Sequence, residues 1–511
     1  MQTDALAAGD QARPAPRGRP IIIIGAGPGG ICMGIKLLQA GHSNFLILEQ
    51  AAGVGGTWWH NRYPGAACDV PSHLYSFSFE IKRDWSCPYA TAPEILAYME
   101  MCVEKYGLAP HIRLRTAVTR AVWDEAESQW TVETDTGERH QPAVLVAAQG
   151  MFNEPTWPNI PGLDDFRGTL FHTARWNHEH DLNGERVGII GSAASAVQCV
   201  PEVAQVAGQL TLFQRTPNWI LPKREEPYRP DRLEYYKHAP DAVEQRRFKL
   251  FQDFEGFAMV MDPDKRREAE QIGRDNIAVV EDPALRRKLT PDFPFGCKRV
   301  LRSSKYYPTF NRPNVDLVTD SVTRITATGV VTADGTARDF DTLVMATGFD
   351  VTRYLSSVHV VGRGGRVLAE EWNEGARAYL GITTAGFPNL FQLYGPNTNK
   401  GSILFMIECQ VAYIMRQLGR LDGENLAWMD VRPDVMATYN EAIQRDANAI
   451  TVWAENCNNY FRHPVSGRVV TQYPRDMVDY REDTLRPDPE AYEVQALTGQ
   501  QAQGAWQARG G

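Results

Sequence analysis

The chain has no C-x-x-C pair, no long apolar run and no surplus of positive charge, and each absence removes a class of function. Its eight cysteines, at 32, 68, 87, 102, 199, 297, 409 and 457, never reach the spacing of a cysteine zinc site or a redox-active dithiol. No stretch approaches the ~18 apolar residues that span a bilayer, and the opening MQTDALAAGDQARPAPRGRP lacks the apolar core of a signal peptide. The expectation is a cytoplasmic protein without a membrane partner. A formal charge of −9 argues against nucleic acid as a partner. What is present is 511 residues, 43% apolar and 23% charged, the balance of a soluble globular protein, with two domains the default expectation and a small-molecule enzyme the better fit.

IIIIGAGPGG, from Ile21 to Gly30, runs a β-branched strand into Gly25-x-Gly27-x-x-Gly30. Helical apolar spacing follows in ICMGIKLLQA, and a second strand, NFLILEQ, ends on Glu49. Strand, glycine turn, helix and acid together make a dinucleotide fingerprint, with phosphate oxygens met by amides at the positive end of the helix. Glu49 is placed to accept hydrogen bonds from ribose hydroxyls.

The same grammar recurs in ERVGIIGSAASAVQCVPEVA and QLTLFQRTP. Here Gly191 and Ser192 open the turn, and Ala193 replaces the middle glycine, adding a methyl where a pyrophosphate comes closest. The second strand ends on Gln214-Arg215-Thr216 instead of an acid. Arg215 and Thr216 suit a 2′-phosphate, which an acid would repel, so the second nucleotide reads as NADPH. The alternative is a structural βαβ unit with an exposed arginine.

One site for an unphosphorylated ribose and one for a phosphorylated ribose suggest FAD plus NADPH. VLVAAQG (144–150) and LVMATGFD (343–350) are apolar strands that end in small residues, as expected where a chain crosses between two domains. The fold class is therefore α/β, with two Rossmann-like domains, the second inserted in the first. The expected boundaries are an FAD part at 18–150, an NADPH domain at 151–345 and a return to the FAD part at 346–490. Segments 1–17 and 495–511 read as flexible tails. Charge-rich helical patterns over about 225–295 read either as an insertion walling a substrate pocket or as ordinary solvated helices.

Several segments carry a resemblance to a known family. They are GGTWWHNRYPGAACDVPSHLYSFSF (55–79), FRGTLFHTARWN (166–177), FQRTPNW (213–219), PFGCKRV (294–300), ATGFD (346–350) and GFPNLFQLYGPNTN (386–399). From about residue 20 to 475 the chain resembles the flavin-dependent Baeyer–Villiger monooxygenases, single-component enzymes using FAD and NADPH. Phe166, Gly168, His172 and Trp176 match that family's signature F-x-G-x-x-x-H-x-x-x-W. Its next position, Pro or Asp in the family, is Asn177 here. Trp176 favours the ketone-oxidising branch over the N- and S-oxygenating flavin monooxygenases. Lying between the two fingerprints, this stretch is expected in the interdomain hinge, with His172 and Trp176 on one side if it is locally helical.

The resemblance implies an enzyme that uses NADPH and O2 to turn a ketone into an ester or lactone through a C4a-peroxyflavin. It further implies that Arg299 stabilises negative charge over the flavin and that Asp69 positions this arginine and contacts the nicotinamide. A carboxylate can orient a guanidinium through charge-assisted hydrogen bonds. Lys298 is the implied second cation for the 2′-phosphate, Gln198 a contact to the nicotinamide nucleotide, and Thr57, Trp58 and Tyr75 contacts to the flavin. Trp453 falls where the family has a mobile-loop tryptophan near the nucleotide. No metal is expected: His178-Glu179-His180 lacks a third ligand nearby, and Ser192 and Ser195 do not form a nucleophile elbow. Two rivals stay open, an N- or S-oxygenating monooxygenase and an electron-transfer flavoprotein. Nothing in the chain specifies an oligomeric state or which ketone is used.

Overall fold

The structure, a computed structural model, describes residues 17–255, 258–454 and 459–497. Four consecutive isoleucines, Ile21–Ile24, form a strand buried on both faces, as the interior of a parallel sheet requires. It pairs in parallel with Phe45–Leu48 on one side and Val144–Ala147 on the other. Ile112–Arg113 and Leu390–Gln392 complete five strands. The helix Pro28–Gln39 follows the first strand at once, its proline sitting where no N–H is needed.

A second parallel sheet repeats the plan, in the order Val315–Val318, Gln209–Phe213, Arg186–Ile190, Thr342–Met345, Thr169–His172. Its strands fall between Val144–Ala147 and Leu390–Gln392 in sequence, so the chain leaves the first sheet, builds the second and returns. The second unit is thus inserted in the first.

The two glycine turns sit against the two crossings. Gly25 has φ of 101°, and a Cβ there would press on the carbonyl of Ala148. Gly191 has φ of 114°, and a Cβ there would collide with the carbonyl of Ala346. Both positions need glycine for conformation and for space.

Residues 225–295 hold the helices Pro230–His238, Pro240–Phe254, Ala258–Met261, Pro263–Ile277 and Pro283–Leu289. Prolines open four of them, and Asp262 and Asp282 cap two by accepting hydrogen bonds from amides of the first turn. Most of their surface is exposed, and Phe254 and Val260 line the central cavity. Arg247 donates to the carbonyls of His73 and Leu74, and Glu255 accepts from the amides of Met477 and Val478, tying these helices to the first unit.

Residues 1–16 and 498–511 lie outside the described residues. Arg17 bonds Ser43 and Asn44 through its backbone, and Gln495 and Ala496 belong to the strand Tyr492–Ala496, paired with Leu426–Val431. Among the described residues no helix is long and apolar enough to cross a membrane.

Gly30 tests the helix-to-strand closure directly, because a Cβ there would strike the Gly25 carbonyl oxygen. Gly30→Ala is expected to cost about 3 kcal/mol or more of stability, read by chemical denaturation, since neither backbone can move aside.

Candidate active site

One cavity of about 1880 Å³ lies between the two sheets, with both glycine turns on its wall. Every site residue expected from the sequence lines it except Gly30, which packs behind its turn, and the signature residues Phe166, Gly168, His172 and Trp176.

On the first side, Gly25, Gly27 and Glu49 face the cavity. The Glu49 carboxylate accepts from the amides of Ala26 at 2.7 Å and Ala51 at 2.8 Å, which fixes it beside the turn. Each oxygen keeps a lone pair for a further donor. Burial pushes its pKa up, and the two amides partly offset that. Thr57 begins a short helix, Thr57–His60, and the Trp58 indole donates to the Tyr75 hydroxyl at 3.1 Å. Both rings therefore present fixed faces to the cavity.

On the second side, the Ser192 hydroxyl donates to the Thr216 carbonyl at 2.9 Å, joining the turn to the strand end that carries Arg215. Lys298 approaches from another loop, and its pKa is lowered first by burial and then by the charge of Arg215. Two cations held together raise each other's energy until an anion joins them. The exposed methyl of Ala193 lies on the same wall and leaves the turn open. Six cysteines are free and buried, while Cys297, beside Lys298, is disulfide-bonded, a pairing that the spacing did not suggest.

Between the two sides, Asp69 joins residues 230 positions apart: its Oδ2 accepts from the Arg299 guanidinium at 3.1 Å. Its Oδ1 accepts from the Lys223 ammonium at 3.3 Å. Arg299 is held protonated: burial opposes its charge, and Tyr460, Asp69 and Tyr394 more than offset that. Lys223, Tyr460 and Tyr394 were missed by sequence reasoning. Lys223 follows a short apolar strand with no motif around it, and Tyr394 carries an unusual φ of 58° that no local pattern announces.

Gln198 lines the cavity and also makes a tie between the two units. Its side-chain oxygen accepts from the Tyr63 hydroxyl at 2.8 Å and its amide donates to the Ala67 carbonyl at 2.9 Å, so it ties the second unit's helix to the loop before Asp69. Trp453 is buried in the short helix Thr451–Ala454, packs on Phe461 at 5.6 Å between ring centroids and faces the cavity.

The signature stretch is not helical. Thr169–His172 is the edge strand of the second sheet, paired with Thr342–Met345, and Thr173–Arg175 forms one 3₁₀ turn. Phe166 folds over Gly168, where any Cβ would collide with the Phe166 ring and the Asp341 carbonyl. The expected common face of His172 and Trp176 is absent. His172 packs beside Trp157 and Phe349, while Trp176 packs on Phe171, because the strand sends successive side chains to opposite sides. His172 is fully buried next to the second crossing, and its Nδ1 accepts from the Ala174 amide at 3.0 Å. In the HEH run, His180 bonds Glu185 and Thr342. Among the described residues no cluster of metal-ligating side chains gathers.

Two dinucleotide-type turns facing one cavity, with a carboxylate–guanidinium pair between them, define a two-nucleotide flavoprotein oxidoreductase. The family model for pyridine nucleotide-disulphide oxidoreductases matches residues 22–249. A Baeyer–Villiger monooxygenase of Pseudomonas aeruginosa is 40% identical over 480 residues, covering 93% of this chain and 91% of the relative. The closed crystal structure of a cyclohexanone monooxygenase superposes with a TM-score of 0.85 at 32% identity, covering 94% of this chain and 100% of that one. An oxidised steroid monooxygenase bound to NADP gives 0.83 at 33%, with coverage of 94% and 100%. The chain belongs to the Baeyer–Villiger monooxygenase family.

Two expectations follow from this geometry. Arg215→Ala should lower the preference for NADPH over NADH, read as the ratio of kcat/KM values, by roughly ten- to a hundredfold, the worth of one charge-assisted hydrogen bond. His172 is depressed to about 4, by burial first and then by the charge of Arg175. The unfolded histidine takes up a proton near 6.5 that the folded one refuses, so stability falls as pH drops from about 6.5 to 4 and is unaffected above. His172→Asn keeps an acceptor for Ala174 without a titrating ring. Its stability relative to wild type, from denaturation at each pH, should therefore rise across that window.

Proposed function

We propose that this protein is an FAD-containing monooxygenase that uses NADPH and O2 to insert one oxygen atom beside a ketone carbonyl, giving an ester or lactone and water. In this reading residues 18–150 and 346–490 hold FAD, and 151–345 hold NADPH. The observation that carries it is the Asp69–Arg299 pair on the wall of a cavity shared by both glycine turns.

The residues fit both groups. Gly25, Gly27 and Gly191 put backbone without side chains on the cavity wall where phosphates would lie, with Glu49 beside the first turn for a ribose and Arg215 with Lys298 beside the second for a phosphorylated ribose. The bound flavin would supply two-electron transfer from NADPH and the activation of oxygen. Arg299 holds a permanent positive charge where negative charge develops on the reacting oxygens and on the ketone oxygen. Asp69 orients that guanidinium, and Trp58, Tyr75, Phe254 and Trp453 line the cavity with ring surface that excludes water. A cytoplasmic setting, which supplies NADPH, goes with this reading.

Solved cyclohexanone monooxygenases include one bound to cyclohexanone, which makes that ketone the first probe. The test is NADPH consumption together with product formation across a panel of cyclic, linear and aromatic ketones. Ester or lactone formed in step with NADPH loss supports the proposal, and NADPH oxidation that yields only hydrogen peroxide on every ketone defeats it. Arg299→Ala should lower product formation by about a hundredfold or more while FAD stays bound.

A further inference from the structure

Asp69 has two cationic partners of different kinds. The Arg299 side chain faces the cavity and is 40% exposed, whereas the Lys223 side chain is 1% exposed and does not line the cavity at all. Lys223 stands behind the carboxylate, 3.3 Å from Oδ1, with its ammonium 5.2 Å from the centre of the Tyr89 ring. Among the described residues Asp69 is the one carboxylate within ion-pairing distance of Lys223. Glu225, two residues on, instead accepts from the Ser304 amide. Burying a lysine this fully is costly unless its charge is paired and its place is fixed.

The backbone fixes that place. Ile220–Leu221 pairs with Leu301–Arg302, so the strand leading to Lys223 runs beside the strand that follows Arg299. The Lys223 amide donates to the Ser304 hydroxyl at 3.0 Å, and that hydroxyl donates back to the Lys223 carbonyl at 2.7 Å. Both cations therefore belong to one small rigid element of the second unit, and both grip a single carboxylate of the first.

We propose that Lys223 is a positioning residue for the reaction: it anchors Asp69 from behind, so that Lys223, Asp69 and Arg299 together carry one net positive charge near the flavin. With Arg299 alone, the carboxylate would form a neutral pair and would lose its orientation whenever the cavity-facing guanidinium moved. With Lys223, the carboxylate keeps one dry, immobile partner, and the guanidinium is free to serve a developing anion. Positive charge near the flavin favours its reduced form, because the reduced form carries more negative charge and a buried cation such as Lys223 is weakly screened.

The inference rests on the cavity holding FAD and NADPH. It is tested with FAD-loaded Lys223→Met, Lys223→Arg, Asp69→Asn and the Lys223→Met/Asp69→Asn double variant. Two quantities are read without ketone or oxygen: the flavin midpoint potential, and the single-turnover rate of flavin reduction by NADPH. Lys223→Met should move the potential to more negative values and slow reduction at saturating NADPH by about tenfold or more, with a smaller change in NADPH affinity. Lys223→Arg, which keeps the charge, should restore both to within about threefold of wild type in rate. In the double variant the rate should match that of Asp69→Asn alone, since a residue acting through Asp69 adds nothing once Asp69 is gone.

Wild-type potential and rate in Lys223→Met, or losses that add in the double variant, would overturn the proposal. If Lys223→Met does not load FAD, Lys223→Gln takes its place. Failure of both to load while Asp69→Asn loads also counts against it, because a residue acting only through Asp69 cannot cost more than Asp69 itself. A wild-type protein that takes up no FAD would refute the cofactor reading instead, and inactivity on ketones would leave these measurements intact.

Discussion

The architecture depends on two close approaches of backbone to backbone: the carbonyl of Ala148 against Gly25 and the carbonyl of Ala346 against Gly191. Each glycine ends a central parallel strand and starts a helix, and each carbonyl ends the neighbouring strand just where the chain passes between the two units. Glycine turn and domain crossing are therefore one place in each unit. That coincidence turns both helix N-termini toward a common cavity, because the segments leaving Ala148 and Ala346 must run between the sheets. Any side chain at either glycine would push the crossing away and open the cavity.

Onto this frame the second unit brings a set of cations that the overall charge conceals. The chain carries a formal charge of −9, yet Arg215, Lys298, Arg299 and Lys223 converge on the cavity or directly behind it. Among the described residues Asp69 is the carboxylate paired with two of them, and it comes from the first unit. Gln198 makes the second tie across the same seam, through Tyr63 and Ala67. The loop 63–69 is thus held by the second unit at both of its ends, so a relative movement of the units would be felt at Asp69 directly.

The signature stretch shows how a recognisable spacing can mislead about shape. Phe166 and Gly168 are a packing pair, and His172 ends an edge strand against the second crossing. Spacing of four suggested one helical face for His172 and Trp176. Pairing with Thr342–Met345 made the segment a strand instead, since a free sheet edge with a matching register outweighs weak local helical preference. The small mixed sheet built from Val118–Asp124, Gln129–Thr134, Arg139–His140 and His359–Val361 was likewise invisible, because its last strand joins in parallel from more than two hundred residues away.

The sequence by itself determined both strand–turn–helix units, the acid at Glu49, the cation at Arg215, and the proline and aspartate punctuation of the helices between 230 and 289. These are local signals: φ preference, helix capping and burial pattern act over a few residues and can be read in order. The approach of Asp69 to Arg299 across 230 positions was expected only through the family resemblance, and the tertiary structure alone decided that Asp69 also meets Lys223 across 154 and that Gln198 spends its amide on the neighbouring loop. A carboxylate and an ammonium carry no mark of their partner in sequence. Their pairing is settled when two sheets pack and the few charges left without water find one another.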